Sequence, residues 1–225
     1  MPSRSNDPAK KEGRGRALWR ALHDFFEKPL NGLLAGVVVA AVLSLSFVVA
    51  EELNVRASST EFCISCHSMG AYVYEEFKQS KHYNTASGVR PQCGDCHVSK
   101  RFWPAVWDHI MGTEDLIGEY SHDWSRPEVF EEKRPAMAEK VRMQMLNNDS
   151  KNCRECHVWE AVQPKRKRGQ RAHKAAIEEG KTCIACHYNL VHKKVPLSDT
   201  FKQAVDQYGK PGKGLSSGVA QTGDS

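Results

Sequence analysis

Four copies of one short pattern, CxxCH, constrain this chain more than anything else in its 225 residues: Cys63-Ile-Ser-Cys66-His67, Cys93-Gly-Asp-Cys96-His97, Cys153-Arg-Glu-Cys156-His157 and Cys183-Ile-Ala-Cys186-His187. Two thiols at this spacing form thioethers to the vinyl groups of haem, and the histidine that follows falls under the iron as proximal ligand. All eight cysteines lie in these motifs. Structural zinc sites are also built from CxxC pairs, but zinc supplies no reason for a histidine directly after the second cysteine every time. A disulfide framework explains those histidines no better. The pattern implies a tetrahaem c-type cytochrome holding four covalent haem c groups.

The spacing adds a second layer. The first cysteines fall at 63, 93, 153 and 183, so each half of the chain separates its two motifs by the same interval. This reads as an internal duplication. Each half also carries a histidine shortly before its second motif, His82 before Cys93 and His173 before Cys183. Each iron has a proximal histidine and a sixth position to fill. Outside the motifs the candidates are His82, His109, His122, His173 and His192, together with methionines such as Met69. The duplication favours His82 and His173. A thioether from Met69 would raise the potential of its haem relative to a second imidazole, and its alternative is to pack on the porphyrin face.

A mean hydropathy of −0.57 and 8% aromatic residues leave little apolar surface outside one long run. The expected fold is all-α and irregular, with short helices and loops wrapped around haems that form much of the core. Covalent attachment staples a core-poor chain to its cofactors. The run from Leu30 to Ala50 matches the roughly twenty apolar residues that a membrane-crossing helix needs. Arg4, Lys10, Lys11, Arg14, Arg16, Arg20 and Lys28 precede it, and Glu51 and Glu52 follow. The positive-inside rule then puts the N-terminus in the cytoplasm and the haem domain in the periplasm of a bacterium, on a single-pass anchor in the inner membrane. The run is too long for an ordinary signal-peptide core, which favours an uncleaved anchor. His23 falls on the cytoplasmic side.

The expected organisation is a cytoplasmic tail at 1–29, an anchor at 30–50, a tetrahaem domain at 51–196, and a free tail at 197–225. A short amphipathic stretch lies at 17–26. Helices are expected over 70–82, 102–120, 127–146 with Pro135 weakening or kinking it, and 170–179 stopped by Gly180. No strand alternation stands out. The formal charge of +5 is concentrated in the N-terminal tail and does not argue for nucleic acid. The run Lys165-Arg166-Lys167-Arg168 with Arg171 reads as a solvated loop, or else a surface for lipid phosphates or an acidic partner.

From Leu30 to Pro196 the chain resembles the NapC/NirT family of membrane-anchored tetrahaem quinol dehydrogenases, including its NrfH and CymA branches. The resemblance is carried by TEFCISCHSM at 60–69, SGVRPQCGDCHV at 87–98, NDSKNCRECH at 148–157 and GKTCIACH at 180–187. It implies that quinol is oxidised at the membrane surface and that electrons pass through the haems to a periplasmic reductase. His82, His173 and His192 match distal-ligand positions. Met69 matches the methionine that, in the NrfH branch, ligates the first haem in place of the motif histidine, which would displace His67. Lys100 stands where many nitrate-reductase-linked members have a histidine, which resembles the NrfH and CymA branches. There a lysine and a following acid border the quinol site; Lys100 fits the first, and Asp108 is the nearest acid.

The expected function is electron transfer from the quinone pool to a periplasmic reductase of a nitrogen oxide or related acceptor. Two alternatives stay open: flow from a periplasmic oxidoreductase, such as a hydroxylamine-oxidising enzyme, back to quinone, and a plain relay without a quinone site. A homo-oligomer is compatible with all three.

Overall fold

A computed structural model describes residues 8–208. The chain divides into two compact units, one ending at Leu53 and the other beginning at Asn54. The described part of the first unit is helical apart from Lys28. Helix α1 spans Pro8–Glu27 and α2 spans Pro29–Ala57. Pro29 opens α2, where its fixed φ suits a first turn and its missing N–H costs nothing. The most apolar window of α2 has a mean hydropathy of 2.7 and none of it is buried, so the helix is long and apolar enough to cross a membrane. It extends beyond the apolar run at both ends.

The second unit is a string of short helices and turns with no strand among the described residues. Helix α3 (Thr60–Cys63) carries the first cysteine and is capped by Ser59, whose hydroxyl accepts from the Phe62 N–H. The helix expected over 70–82 is instead a π-turn, Met69–Val73, followed by α4 (Tyr74–Lys78). A Cβ at Gly70, inside that turn, would stand 2.8 Å from the Ile64 carbonyl oxygen, so only glycine fits. Helix α5 (Cys93–His97) is the second motif itself. The expected 102–120 helix breaks at Gly112 into α6 (Phe102–Met111) and α7 (Thr113–Ser121). Helix α8 (Pro127–Asn147) runs unbroken through Pro135. The third motif begins in α9 (Lys151–Arg154), α10 spans Lys167–Glu178, and the fourth motif forms a 3₁₀ turn at Cys183–Ala185.

The tail expected to hang free from 197 does not do so over its described part. Ser198 caps α11 (Asp199–Gln207) by accepting from the Phe201 N–H. Phe201 is 1% exposed and packs with Leu146 and Ile184, flanked by Ala204, Val205 and Tyr208. The apolar spacing 201, 204, 205, 208 is that of one helix face, and burying it offsets the ordering cost. The remainder of that expected tail, 209–225, lies outside the described residues, as do residues 1–7.

Buried hydrophobic side chains are few: Phe77, Ala105, Trp124, Phe130, Leu146, Ile184, Val195 and Phe201 among the described residues. A polypeptide core this small agrees with a fold in which haem supplies much of the interior. Buried arginines do part of the work instead. Arg134 on α8 forms ion pairs with Glu76 at 2.6 Å and Glu131 at 3.0 Å. Arg142, two turns further along, donates to the carbonyl oxygens of Tyr188, Val195 and Pro196 and to Asn189 Oδ1.

Candidate functional site

Each motif is tied to the next by hydrogen bonds from residues just outside the CxxCH pattern. Between the first and second, Thr60 N–H donates to Gln92 Oε1 at 3.0 Å, Cys93 N–H to Thr60 Oγ1 at 3.1 Å, and Gly94 N–H to the Ser58 carbonyl at 3.2 Å. A Cβ on Gly94 would stand 2.3 Å from that carbonyl oxygen, so the contact requires glycine. The thiols of Cys63 and Cys93 also interact, which pushes Cys63 up and pulls Cys93 down to about 6. Between the second and third motifs, Asn152 Nδ2 donates to the carbonyls of Cys96 and Val98 at 3.0 and 3.1 Å. Between the third and fourth, the Ser150 hydroxyl meets Thr182 Oγ1 at 2.6 Å and accepts from the Ile184 N–H at 3.0 Å.

The last joint comes from the NDS segment. Asp149 and Ser150 both adopt left-handed backbone, with φ of 58° and 50°. That conformation costs non-glycine residues on the order of 1 kcal/mol each and persists only where contacts over-determine it. Here they do: Asp149 Oδ1 accepts from Arg154 at 2.9 Å and from the Tyr208 hydroxyl at 2.5 Å, while Ser150 holds Thr182. None of Thr182, Tyr208, Arg134 or Arg142 was legible as a positioning residue, because each acts across more than 30 residues of sequence.

The histidines fall into facing pairs. The His97 and His192 ring centres are 6.3 Å apart, those of His82 and His157 6.1 Å, and those of His173 and His187 5.9 Å. Two metal–nitrogen bonds of about 2 Å, plus roughly 1 Å from each nitrogen to its ring centre, separate two imidazoles on one metal by about 6 Å. All three pairs have that spacing, and each joins one motif histidine to one histidine outside the motifs. The Nδ1 atoms of His173 and His192 are buried without a hydrogen-bond partner. Burial lowers the pKa of His82, His187 and His192, and of His97 to about 4, with the facing imidazole adding to the shift for His82, His97 and His187. Each is thereby held in the neutral form that ligates metal. These residues fit haem c. Cysteine clusters of the zinc type are not formed: among the described residues, the one group of donors close enough to share an ion is His23, Asp24 and Glu27 on exposed α1.

Local structure explains how the three histidines outside the motifs are held. His192 sits in the 188–196 loop, which Arg142 clamps from α8 and which Asn189 closes by accepting from Val195 N–H and donating to the Val195 carbonyl. Glu76, on α4, also accepts from the Lys193 N–H. His173 lies on α10 and His82 in the turn after α4. The other sequence candidates have different neighbours. His109 Nε2 approaches the Ser58 hydroxyl at 3.4 Å, and His122 Nδ1 lies 3.1 Å from the Gly118 carbonyl beside Trp124.

The first motif differs. The His67 ring meets Tyr72 edge-on at 6.4 Å rather than another imidazole, and Met69 starts the π-turn two residues on. Ser68 anchors this segment to α7 through Glu119, donating from its N–H at 3.2 Å and its hydroxyl at 2.5 Å.

Lys100 and Asp108 are brought to one short segment but not to each other. Asp108 Oδ2 accepts from the Ser99 N–H at 2.7 Å. Lys100 pairs with Asp95, a residue inside the second motif. Burial alone would raise the Asp95 carboxyl, but Lys100 and the Gln92 N–H outweigh it and hold the group below its ordinary range. Asp95 was missed in the sequence because it lies within a motif already assigned to haem attachment.

Comparison with known proteins agrees with this arrangement. Residues 28–197 match the family model described as NapC/NirT cytochrome c family, N-terminal region. The chain is 33% identical over 216 residues to the cytochrome c-type protein TorC of Escherichia coli O157:H7, covering 93% of this chain and 52% of that protein. It therefore spans about half the length of TorC. It is 44% identical over 174 residues to a probable tetraheme cytochrome c-type protein of Nitrosomonas europaea, covering 76% and 70%. It is 39% identical over 140 residues to the cytochrome c-type protein NapC of Escherichia coli K12, covering 61% and 70%. No solved structure matches.

Proposed function

This chain belongs to the NapC/NirT cytochrome c family, and from that premise we propose that it is a membrane-anchored tetrahaem relay carrying electrons from quinol to a redox protein on the periplasmic side. The observation that carries the reading is the set of three imidazole pairs at 5.9–6.3 Å, on motifs joined in sequence by hydrogen bonds. Haem supplies one-electron redox chemistry when bound. Cys63 and Cys66, Cys93 and Cys96, Cys153 and Cys156, and Cys183 and Cys186 would attach the four groups. His97 with His192, His157 with His82, and His187 with His173 would provide imidazole pairs to hold the iron of three of them. The first would take His67, or Met69 in its place.

The anchor is α2, with the basic residues before it inside and the haem domain outside. Quinol gives up two electrons and two protons on becoming quinone, so an acid–base group is needed near the first haem. In this proposal Lys100 orients the quinol oxygen and Asp108 takes a proton. The periplasmic acceptor is a terminal reductase of a nitrogen oxide or related compound.

Anaerobic addition of a reduced quinol analogue to the oxidised protein in detergent tests the reading. Rapid reduction of haem absorbance, blocked by a quinol-site inhibitor, is the expected result. Absence of reduction, with dithionite still reducing all four haems, would sink quinol oxidation and leave the relay. Asp108→Asn sharpens the test, because its amide oxygen still accepts the Ser99 N–H while losing basicity. Quinol oxidation with an unchanged rate and pH profile in that variant would remove Asp108 from the proton path.

A further inference from the structure

Many charged side chains on the haem-bearing unit are matched locally. Lys140 faces Glu114 and Asp115, Arg126 faces Glu128, and Lys193 faces Glu131. One region instead gathers cations in a run. Lys165, Arg166, Lys167, Arg168, Arg171 and Lys174 are all exposed. The first five form no ion pair with a described residue, and Lys174 reaches Glu178 only at 3.9 Å with 79% of its side chain in solvent. The first turn of α10 contains no acidic residue, so the positive end of the helix adds to the cations rather than offsetting them.

The placement of the cations on α10 is as informative as their number. Lys167, Arg171 and Lys174 follow one another at helical spacing and share one face. His173 belongs to the opposite side, where it faces His187 at 5.9 Å. One helix thus carries an imidazole of the fourth motif's pair on one side and unpaired cations on the other. A helix is about 10 Å across, so a molecule seated on the cations would lie close to the fourth haem position.

We propose that this cationic face of α10, with the run leading into it, is the docking surface for an acidic redox protein that exchanges single electrons through the fourth haem site. The proposal rests on the electron-transfer reading above. Unmatched like charges repel one another, and an acidic surface relieves that repulsion while steering encounter. The same helix contributing to a haem site favours a redox protein over a lipid surface, which has no use for an electron route.

The test uses the full haem-loaded chain in phosphatidylcholine nanodiscs, reduced with dithionite, and two ferric probe proteins: acidic cytochrome b5 and basic mitochondrial cytochrome c. In each reaction one ferrous haem of the chain is oxidised and one ferric haem of the probe is reduced. With cytochrome b5 the bimolecular rate should fall roughly tenfold from low to half-molar salt. Joint Lys165→Gln, Arg166→Gln, Lys167→Gln and Arg168→Gln substitution should lower the low-salt rate by roughly tenfold and flatten its salt dependence. The dithionite-reduced spectrum should stay unchanged, and the rate with cytochrome c should hold or rise. An unchanged rate with cytochrome b5 would overturn the proposal. So would an unchanged rate accompanied by lost binding to phosphatidylglycerol vesicles, which would make the face a lipid surface. Exchange with cytochrome c but none with cytochrome b5 overturns the docking surface alone, whereas no exchange with either probe overturns electron transfer itself.

Discussion

The two halves of the haem-bearing unit look like duplicates in sequence and are not duplicates in space. Each half has two motifs at the same interval and a histidine shortly before the second. In the second half that histidine, His173, faces His187 of its own half. In the first half the corresponding His82 crosses to His157, and His97 receives His192 from the end of the second half. Repetition in the chain therefore marks the CxxCH motifs themselves. It does not mark which histidine meets which motif, since that depends on where α8 carries the chain between the halves. The two crossed pairs interlock the halves, while the third is local.

The largest expected effect separates crossed from local pairs. On the proposed ligation, His82→Ala and His173→Ala should each convert one of four haem signals from low to high spin in electron paramagnetic resonance. His82→Ala should also lower the denaturation midpoint further, because it removes a link between halves. Equal losses of stability in the two variants would break the comparison. Next in size is the clamp that delivers the crossing loop. Arg142→Met leaves the Tyr188 and Pro196 carbonyls without their donor and takes one of two donors from the Val195 carbonyl and from Asn189 Oδ1, a loss of about 3 kcal/mol. Chemical denaturation should show it, with the His97–His192 signal perturbed and the His173–His187 signal intact.

Gly94→Ala drives a methyl group into the Ser58 carbonyl at the first joint, at a cost of about 2 kcal/mol. Ser150→Ala at the last joint strands the buried Ile184 N–H, at about 1 kcal/mol. If the second substitution proved more damaging than the first in thermal unfolding, the order of these joints would be wrong.

The smallest effect is one of pH. Burial, then the hydrogen bond to Asp149, pushes the Tyr208 hydroxyl up to about 12. A group whose folded pKa lies above its unfolded value, near 10, adds stability that is complete below that unfolded value. The contribution fades as pH rises from about 10 to 12, and solvent screening keeps it under about 1 kcal/mol. Tyr208→Phe should remove this part of the alkaline decline, read from denaturation midpoints across that range.

What was legible in the sequence was chemistry held within a few residues. The motifs and the apolar run are read directly from the chain, and three of the five histidines singled out beyond the motifs have rings paired with motif histidines. The rest depends on distant partners. Helix α6 and α7 read as one apolar stretch because nothing in the pattern weighs Gly112 as a break. Lys100 pairs with Asp95 through a turn whose shape no spacing rule supplies. Helix α11 is a different case, since Ser198 and the apolar positions 201, 204, 205 and 208 form a readable cap and face. The Gly- and Ser-rich residues that follow it drew the whole tail into one reading.

The Arg142 clamp also fixes an order of events. A polypeptide is made from its N-terminus onward, so the guanidinium exists before any of its four acceptors between Tyr188 and Pro196. Until that late segment arrives, a cation destined for the interior has nothing to hold, and the loop bearing His192 cannot close. A nascent or truncated chain lacking those residues is left open at its second site, and exposure of that unfinished interior would mark it for proteolysis.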